Sequence, residues 1–267
     1  MEKAVFDEIS RIIYEKSGIF LSERKMDLVA SRLNKRLRAT GLQTYEEYLE
    51  YLKSNDAEEE IVDFLNVIST NVTNFFREPS HFTDMIEAMK KRYSEGQRKF
   101  RIWSAACSSG EEPYTIAMTI RHDFVKENMD VKILATDIST KVLNTAGEGI
   151  YDESKIKDIP QDFLEKYFTV SENGNKILYS VSDKLKNMIN FSRINLSEHP
   201  FSEKGPFDII FCRNVMIYFD YAVKEKLVED FHRLLCPGGL LITSHSESLA
   251  GIKTPFTMLK PSVYIKN

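Results

Sequence analysis

The sequence predicts an α/β protein: a parallel, doubly wound sheet with a β-hairpin insertion, preceded by a small all-helical domain. Three observations carry that expectation. Apolar runs at 100–105, 131–136, 207–212 and 240–244 alternate with amphipathic segments, the pattern of strands joined by crossover helices. The first 68 residues show helical spacing with no strand pattern between. Between Phe168 and Val181, two short β-forming runs flank Glu172-Asn173-Gly174-Asn175, and Asn-Gly between β-formers is a hairpin signal.

Each element follows from its residues. Val5, Ile9, Ile12 and Ile13 share one face of a first helix that stops at Gly18. Met26, Val29, Leu33 and Leu37 mark a second helix, ended near Gly41. Thr44 and Glu47 form a capping box for a third, whose apolar side carries Tyr48, Leu49 and Leu52. Ile61, Phe64, Leu65 and Ile68 mark a fourth. FRIWSA (100–105) is a short buried strand that meets a Ser/Gly turn, and Pro113 sits near the first turn of a helix reaching His122. VKILAT (131–136) stops at Asp137, and a helix follows over about 140–148. FDIIFC (207–212) is a third strand, with a helix over about 222–235. Pro237-Gly238-Gly239 breaks that helix before the strand LLITS (240–244). Residues 158–190 disturb the alternation and contain the hairpin. The chain then divides into a helical domain (1–76), a linker with a connecting helix (77–98) and an α/β domain (99–267).

Composition narrows the function classes. With 42% hydrophobic and 28% charged residues over 267 positions, a large core is available, and disorder, collagen and coiled coil fit poorly. The 36 basic against 40 acidic residues leave a net charge of -4, which gives no general reason for nucleic-acid binding. The three cysteines, Cys107, Cys212 and Cys236, form no CxxC, so neither a disulfide framework nor a zinc site is expected and a reducing cytoplasm fits best. His81, His122, His199, His232 and His245 show no metal spacing. The acid-containing N-terminus does not read as a signal peptide, and no run approaches the roughly 18 apolar residues of a membrane span.

Five segments carry candidate chemistry. Ser104–Pro113 joins a strand to a helix, where an open α/β sheet binds its ligand. It has one glycine, so it is neither GxGxxG nor a phosphate loop. Glu111 and Glu112 would repel a pyrophosphate and suit a ligand bearing an amino group or a sulfonium; a tight turn with a favourable acidic first helical turn is the plain alternative. Asp137 ends the next strand, where a carboxylate accepts from both ribose hydroxyls of a nucleoside or, equally, caps the following helix. In Asn71–Pro79, at the seam between domains, polar residues alternate with apolar anchors, and Arg77 suits a carboxylate or a surface ion pair. Phe211–Phe219 follows a buried strand and offers Arg213 and Asn214 to a ligand and Tyr218 to the reacting centre, or else Tyr218 and Phe219 as packing aromatics; Asn195 and Leu196, just before it, would contact an adenine edge through backbone or amide. Finally Arg24, Lys25, Arg32, Lys35, Arg36 and Arg38 make the second helix basic against Glu23 and Asp27, which fits an acidic partner or a solvated face.

Taken together, STNVTNFFRE, WSAACSSGEEPYTIA, ATDIS and FCRNVMIYFD, in that order and behind RIIYEKSGIFLSERKMDLVASRLNKRL, resemble the CheR-type chemotaxis receptor methyltransferases, and the resemblance runs on to GGLLITSHSESL. It implies a Rossmann-like methyltransferase sheet and an S-adenosylmethionine-dependent enzyme that esterifies glutamates on the cytoplasmic signalling helices of chemoreceptors, releasing S-adenosylhomocysteine. Carried over by residue, cofactor contacts would be Asn71, Thr73, Arg77, Glu112, Asp137, Asn195, Leu196, Arg213 and Asn214. Arg77 and Tyr218 would sit nearest the transferring methyl group. Arg24, Arg32, Lys35, Arg36 and Arg38 would meet the acidic receptor helix, and the hairpin at 168–181 would correspond to an element that docks a receptor tether peptide. A monomer without metal, nucleic-acid partner or membrane insertion is expected. A nicotinamide-dependent dehydrogenase is disfavoured by the absent GxGxxG, a nucleic-acid methyltransferase by the acidic balance, and a non-catalytic scaffold by the retained Arg77, Glu112, Asp137, Asn214 and Tyr218.

Overall fold

The computed structural model describes residues 1–54, 57–68, 73–124, 128–174 and 176–267. Helices α1 (Lys3–Ser17), α2 (Met26–Thr40), α3 (Tyr45–Lys53), α4 (Glu58–Ile68) and α5 (Ser80–Ser94) precede the first strand. The apolar stripes read from the sequence are the buried faces: Ile9 and Ile13 of α1, Leu33 of α2, Tyr48 of α3 and Phe64 of α4 are all fully buried. Each contributes roughly 1.5–3 kcal/mol by leaving water. The capping box at α3 forms as expected, with the Glu47 N–H on Thr44 Oγ1 at 3.1 Å and the Thr44 N–H on Glu47 Oε2 at 3.3 Å.

Strands β1 (Lys99–Ala105), β2 (Asp130–Asp137), β3 (Ile150–Asp152), β4 (Phe168–Asn173), β5 (Lys176–Val181), β6 (Ile189–Arg193), β7 (Phe207–Cys212), β8 (Leu235–Ile242), β9 (Thr257–Lys260) and β10 (Val263–Ile265) follow. They are interspersed with α6 (Glu111–Asp123), α7 (Thr140–Glu148), α8 (Gln161–Tyr167), α9 (Asp183–Lys186) and α10 (Tyr221–Leu234). Among the described residues, the main sheet has seven strands in the order β6-β2-β1-β7-β8-β10-β9. The first five run parallel, and β10 and β9 are antiparallel, so the sheet is mixed. The expectation of a parallel sheet missed this edge because β9 and β10 are short and β9 is exposed throughout, with no buried run to read.

The insertion is also larger than the sequence indicated. β3, β5 and β4 form a separate antiparallel sheet that begins at Ile150, not near 158. Its hairpin pairs Asn173 with Lys176, so Gly174 opens the loop and Asn173 is the last strand residue. β6 was hidden because its burial is partial at an edge of the sheet.

One core cluster joins α1–α4 to one face of the main sheet through Trp103, Ile210, Leu241 and the α10 residues Leu227, Val228 and Phe231. The other face packs α5, α6 and the insertion. Trp103 sits edge-on to Phe201 and Phe231 and donates from Nε1 to Thr136 Oγ1 at 2.9 Å. Gly18 closes α1 in a left-handed conformation (φ +69°), and a Cβ there would come within 2.5 Å of Ser197 Cβ. That close approach brings the helical region against the loop after β6.

Candidate active site

Ala105, Thr136 and Cys212 lie in register at the carboxyl edge of adjacent parallel strands. The loops after β1, β2 and β7 therefore leave the sheet side by side. From the helical side, the segment after α1 closes on the loop after β7: Ile19 bridges Phe219, and the Phe20 N–H donates to the Tyr218 carbonyl at 2.8 Å. Between the two sides lies a cleft of about 1070 Å³, counted to its open mouth. It is lined by Thr73, Arg77, Glu112, Asp137, Asn195, Leu196, Arg213, Asn214 and Tyr218. Residues more than a hundred positions apart in the chain thus converge on one site. Asn71, expected with them, lies outside the described residues.

The loop after β1 is built for close backbone approach. Ala106, Ser108 and Gly110 all have positive φ. Gly110 (φ +96°) has no room for a side chain, because a Cβ would meet Ala146 Cβ and Tyr151 Oη at 2.9 Å. The two glutamates then separate. Glu111 is fully buried and turns away to Lys155 at 2.8 Å, outside the cleft lining. Glu112 faces the cleft, accepting from Ser104 Oγ at 2.6 Å and from Arg213 Nη1 at 3.0 Å. Only one of the two acids therefore faces a ligand.

Asp137 supports the start of α7 without being its cap, and it also lines the cleft. Its Oδ1 accepts from the Ser139 N–H at 3.0 Å, shaping the start of α7, where Ser139 is the cap. Its Oδ2 accepts from the Ser108 N–H at 2.9 Å, tying the two loops together. Each oxygen retains a lone pair for a hydroxyl donor from the cleft. Burial pushes its carboxyl pKa up, and the N–H groups of Ser139, Ser108 and Ile138 partly offset that. A carboxylate in this state gains from donors.

Two expected contacts change character. The Asn195 side chain is fully occupied: Oδ1 accepts from Ser197 N and Oγ, and Nδ2 donates to the Lys16 carbonyl and Glu198 Oε1. An amide so committed leaves its backbone as the part available to an adenine edge. Arg213 has a 3% exposed side chain and bridges Glu112 and Glu78, with Nη2 also donating to the Arg77 carbonyl. Asn214, at φ 60°, is held by its N–H on Glu247 Oε2 at 2.7 Å and by Nδ2 on Ser244 Oγ at 2.8 Å. Glu247 is buried, which pushes its pKa up against the backbone N–H groups of Asn214, Ser244, Ile217 and Met216.

The basic helix needs the clearest correction. Arg24 belongs to the short 3-10 turn before α2. Arg36 is not a free surface cation: it makes two bonds to the buried Glu60, at 2.8 and 2.6 Å, and lies 3.1 Å from Asp63. Glu60 also accepts from Tyr48 Oη at 2.5 Å. Arg36 therefore locks α2 to α4, and a partner's carboxylate would have to displace a buried pair. Arg24, Arg32, Lys35 and Arg38 make no ion pair with a described residue, and none of them lines the cleft.

Sequence reasoning missed Glu78, Ser244 and Glu247, which hold the lining residues from behind. It also missed the convergence of Glu78, His81 and His245, whose ligand-type atoms all lie within 4.8 Å of one another. The positions 78 and 245 share no local signal. Glu78 there is committed to Arg213 at 3.2 Å and Ser244 Oγ at 3.1 Å.

The fold and the cleft, with acids facing a pocket at the sheet's carboxyl edge and a helical cover, are those of a Rossmann-like S-adenosylmethionine-dependent methyltransferase. The sequence matches the CheR methyltransferase, SAM binding domain over residues 71–265 and the CheR methyltransferase, all-alpha domain over residues 4–69. The chain belongs to the CheR methyltransferase family. It is similar to the chemotaxis protein methyltransferase of Salmonella typhimurium, 40% identical over 264 residues that cover 99% of this chain and 90% of that one. The chemotaxis protein methyltransferase of Escherichia coli is 39% identical over 264 residues (99% and 91%), and that of Borreliella burgdorferi 40% over 271 (98% and 94%). The site suits S-adenosylmethionine: acids for a sulfonium and a ribose, and Leu65, Ile138, Leu196 and Phe219 as apolar lining. No helix among the described residues is long and apolar enough to cross a membrane.

Proposed function

We propose that this methyltransferase forms methyl esters on glutamate side chains in the cytoplasmic signalling helices of chemotaxis receptors, and so tunes sensory adaptation. The observation that carries the reading is Arg77, a cation in the lining of a cleft whose other charged lining residues are Glu112, Asp137 and Arg213, the last already paired with Glu112 and Glu78. Such a pairing suits an anionic acceptor beside a cationic donor. The relatives named above, chemotaxis protein methyltransferases at about 40% identity over nearly the whole chain, support the choice of acceptor.

A glutamate carboxylate is ionised at neutral pH and needs no strong base. When bound, S-adenosylmethionine would supply an electrophilic methyl group: its C–S bond would break as the bond to a carboxylate oxygen forms, leaving the neutral thioether S-adenosylhomocysteine. The protein's task is positioning, which can supply up to about 7–11 kcal/mol. Arg77 orients the incoming carboxylate; a unit-charge attraction at about 4 Å is on the order of 4 kcal/mol at an effective dielectric near 20, before desolvation. Tyr218 lines the methyl path. Asp137 takes the ribose hydroxyls and Glu112 faces the cationic end, with Thr73, the Asn195 backbone, Leu196 and Asn214 completing the cofactor wall. Arg24, Arg32, Lys35 and Arg38 steer the acidic receptor helix. The sheet of β3, β4 and β5 offers a docking place for a receptor tether peptide. The protein acts as a cytoplasmic monomer.

The test is transfer of labelled methyl from S-adenosylmethionine to a receptor signalling fragment. Incorporation as a base-labile ester, lost when the acceptor glutamates are changed to alanine, is the expected result. Label that is base-stable, or that survives removal of every glutamate, would overturn it.

A further inference from the structure

Arg77 stands between two non-glycine residues in left-handed backbone, Phe76 (φ 54°) and Glu78 (φ 55°). Such residues cost about 1–3 kcal/mol each, so their surroundings must hold the turn. On the upstream side the grip is mainly apolar. Phe75 is fully buried edge-on to Tyr151 at 5.0 Å, and the Phe76 ring packs on Phe163 at 5.1 Å. On the downstream side the grip is one carboxylate. Glu78 Oε1 accepts from Ser244 Oγ at 3.1 Å, and Oε2 lies 3.2 Å from Arg213 Nη2 and 3.4 Å from the His245 N–H. Arg213 completes the loop of contacts, since Nη2 also donates to the Arg77 carbonyl and Nη1 to Glu112 Oε2.

We propose that Glu78 is a positioning residue for methyl transfer: through Arg213 it fixes the main chain of Arg77, and with it the direction from which the acceptor carboxylate is held. This rests on the reading of Arg77 given above. The physical reason is the balance of a buried guanidinium. Glu78 and Glu112 carry one negative charge each against the single positive charge of Arg213, so neither carboxylate is redundant for placement even though one would neutralise it. Without the Glu78 charge, the guanidinium fork has one carboxylate left and turns to face Glu112 with both nitrogens, the geometry arginine prefers. Nη2 then leaves the Arg77 carbonyl, and the strained turn at 76–78 relaxes. Glu112 keeps its bond from Ser104, so the cofactor wall is disturbed less than the acceptor wall.

The test uses the full chain with Glu78→Gln, which keeps the size and an acceptor oxygen for Ser244. The expected result is a fall in kcat on a receptor signalling fragment of about 100-fold, the cost of a displacement near 1 Å. The S-adenosylmethionine Kd is expected to stay within about 3-fold, because no bond of the cofactor wall is removed. Glu78→Asp, which keeps the charge, is expected to recover part of the loss. In a double-mutant cycle, adding Glu78→Gln to Arg213→Met is expected to cost nothing further, because the two act through one contact. A kcat for Glu78→Gln within 2-fold of the parent, kcat and cofactor affinity falling together, or full additivity in the cycle would each overturn the proposal. If the parent chain makes no ester at all, the proposed function falls, and the clamp is then read by amide hydrogen exchange. Faster exchange over residues 73–79 in Glu78→Gln, with residues 104–112 unchanged, supports it, and unchanged exchange over 73–79 overturns it.

Discussion

The two walls of the cleft are built differently. The proposed cofactor wall hangs on the sheet: Asp137 ends β2 and Glu112 lies in the first turn of α6 after β1, beside a ladder that pairs β1 with β2 and β7 without a break in register. The proposed acceptor wall, residues 75–79, has no ladder. It is held by long-range contacts: Thr115 Oγ1 accepting from the Phe76 N–H, and Glu78 and Arg213 beyond, with Lys155 Nζ on the Thr73 carbonyl just upstream. A wall inherited from a sheet is rigid by default and can specialise in affinity. A wall assembled from distant side chains aims one residue, and its failure should show in turnover.

The largest effect that would break this contrast is at Arg77. Arg77→Ala is expected to lower kcat by about 10²–10³-fold, as for other lost charge-stabilising donors, with the S-adenosylmethionine Kd changed only a few-fold. Equal methyl transfer by variant and parent would remove the distinction between the walls.

Next is acid sensitivity, which should reside behind the acceptor wall. Burial and the nearby Arg213 charge lower the His81 pKa to about 4 from an unfolded value near 6.5. Above pH 6.5 the ring is neutral in both states and contributes nothing. Below it the unfolded chain takes up a proton that the folded chain refuses, so stability falls toward pH 4 by about 3 kcal/mol in all. Glu78 adds a second loss at lower pH, because Arg213 and Ser244 outweigh the opposing effect of burial and hold its pKa below the ordinary range. Denaturation midpoints measured from pH 7 to 4 should fall less steeply for His81→Gln. The same slope for both proteins would place the acid-labile contacts elsewhere.

Asp137→Ala tests the cofactor wall. Loss of hydrogen bonds to a carboxylate costs about 1.5–3 kcal/mol, or roughly 10–100-fold in Kd by calorimetry, with kcat at saturating cofactor changing less. Unchanged affinity would contradict the ribose assignment. The smallest effects belong to the exposed cations. Reversal of Lys35 or Arg38, both exposed, to Glu is expected to raise the receptor KM a few-fold each, with cofactor affinity intact, since exposed charges are worth about 1 kcal/mol or less. An unchanged KM for the double reversal would remove the steering role.

Much of this site was legible from residue order because its parts are local. A strand followed by Ser-Gly-Glu-Glu-Pro, and another ending in Asp, announce their own geometry. Arg36 was misread for the opposite reason. Its partners Glu60 and Asp63 lie on α4, and nothing in the basic run around it says that one of its cations faces inward. The commitment of the Asn195 side chain went unread: its bonds to Ser197 and Glu198 are local, but Lys16, whose carbonyl it also holds, is 179 residues away. The antiparallel edge escaped because β9 buries nothing.

By itself the sequence determined the helical cover, the alternation that builds the sheet, the family and most of the residues that reach the cleft, because hydrophobic period and turn chemistry act over neighbouring positions. The tertiary structure alone decided which charges are free. Whether Glu111 or Glu112 faces the cleft, whether Arg36 or Arg38 faces solvent, and which carboxylate steadies Arg213 depend on partners brought together by folding. A buried charge takes its role from those partners, since without them it would not remain buried.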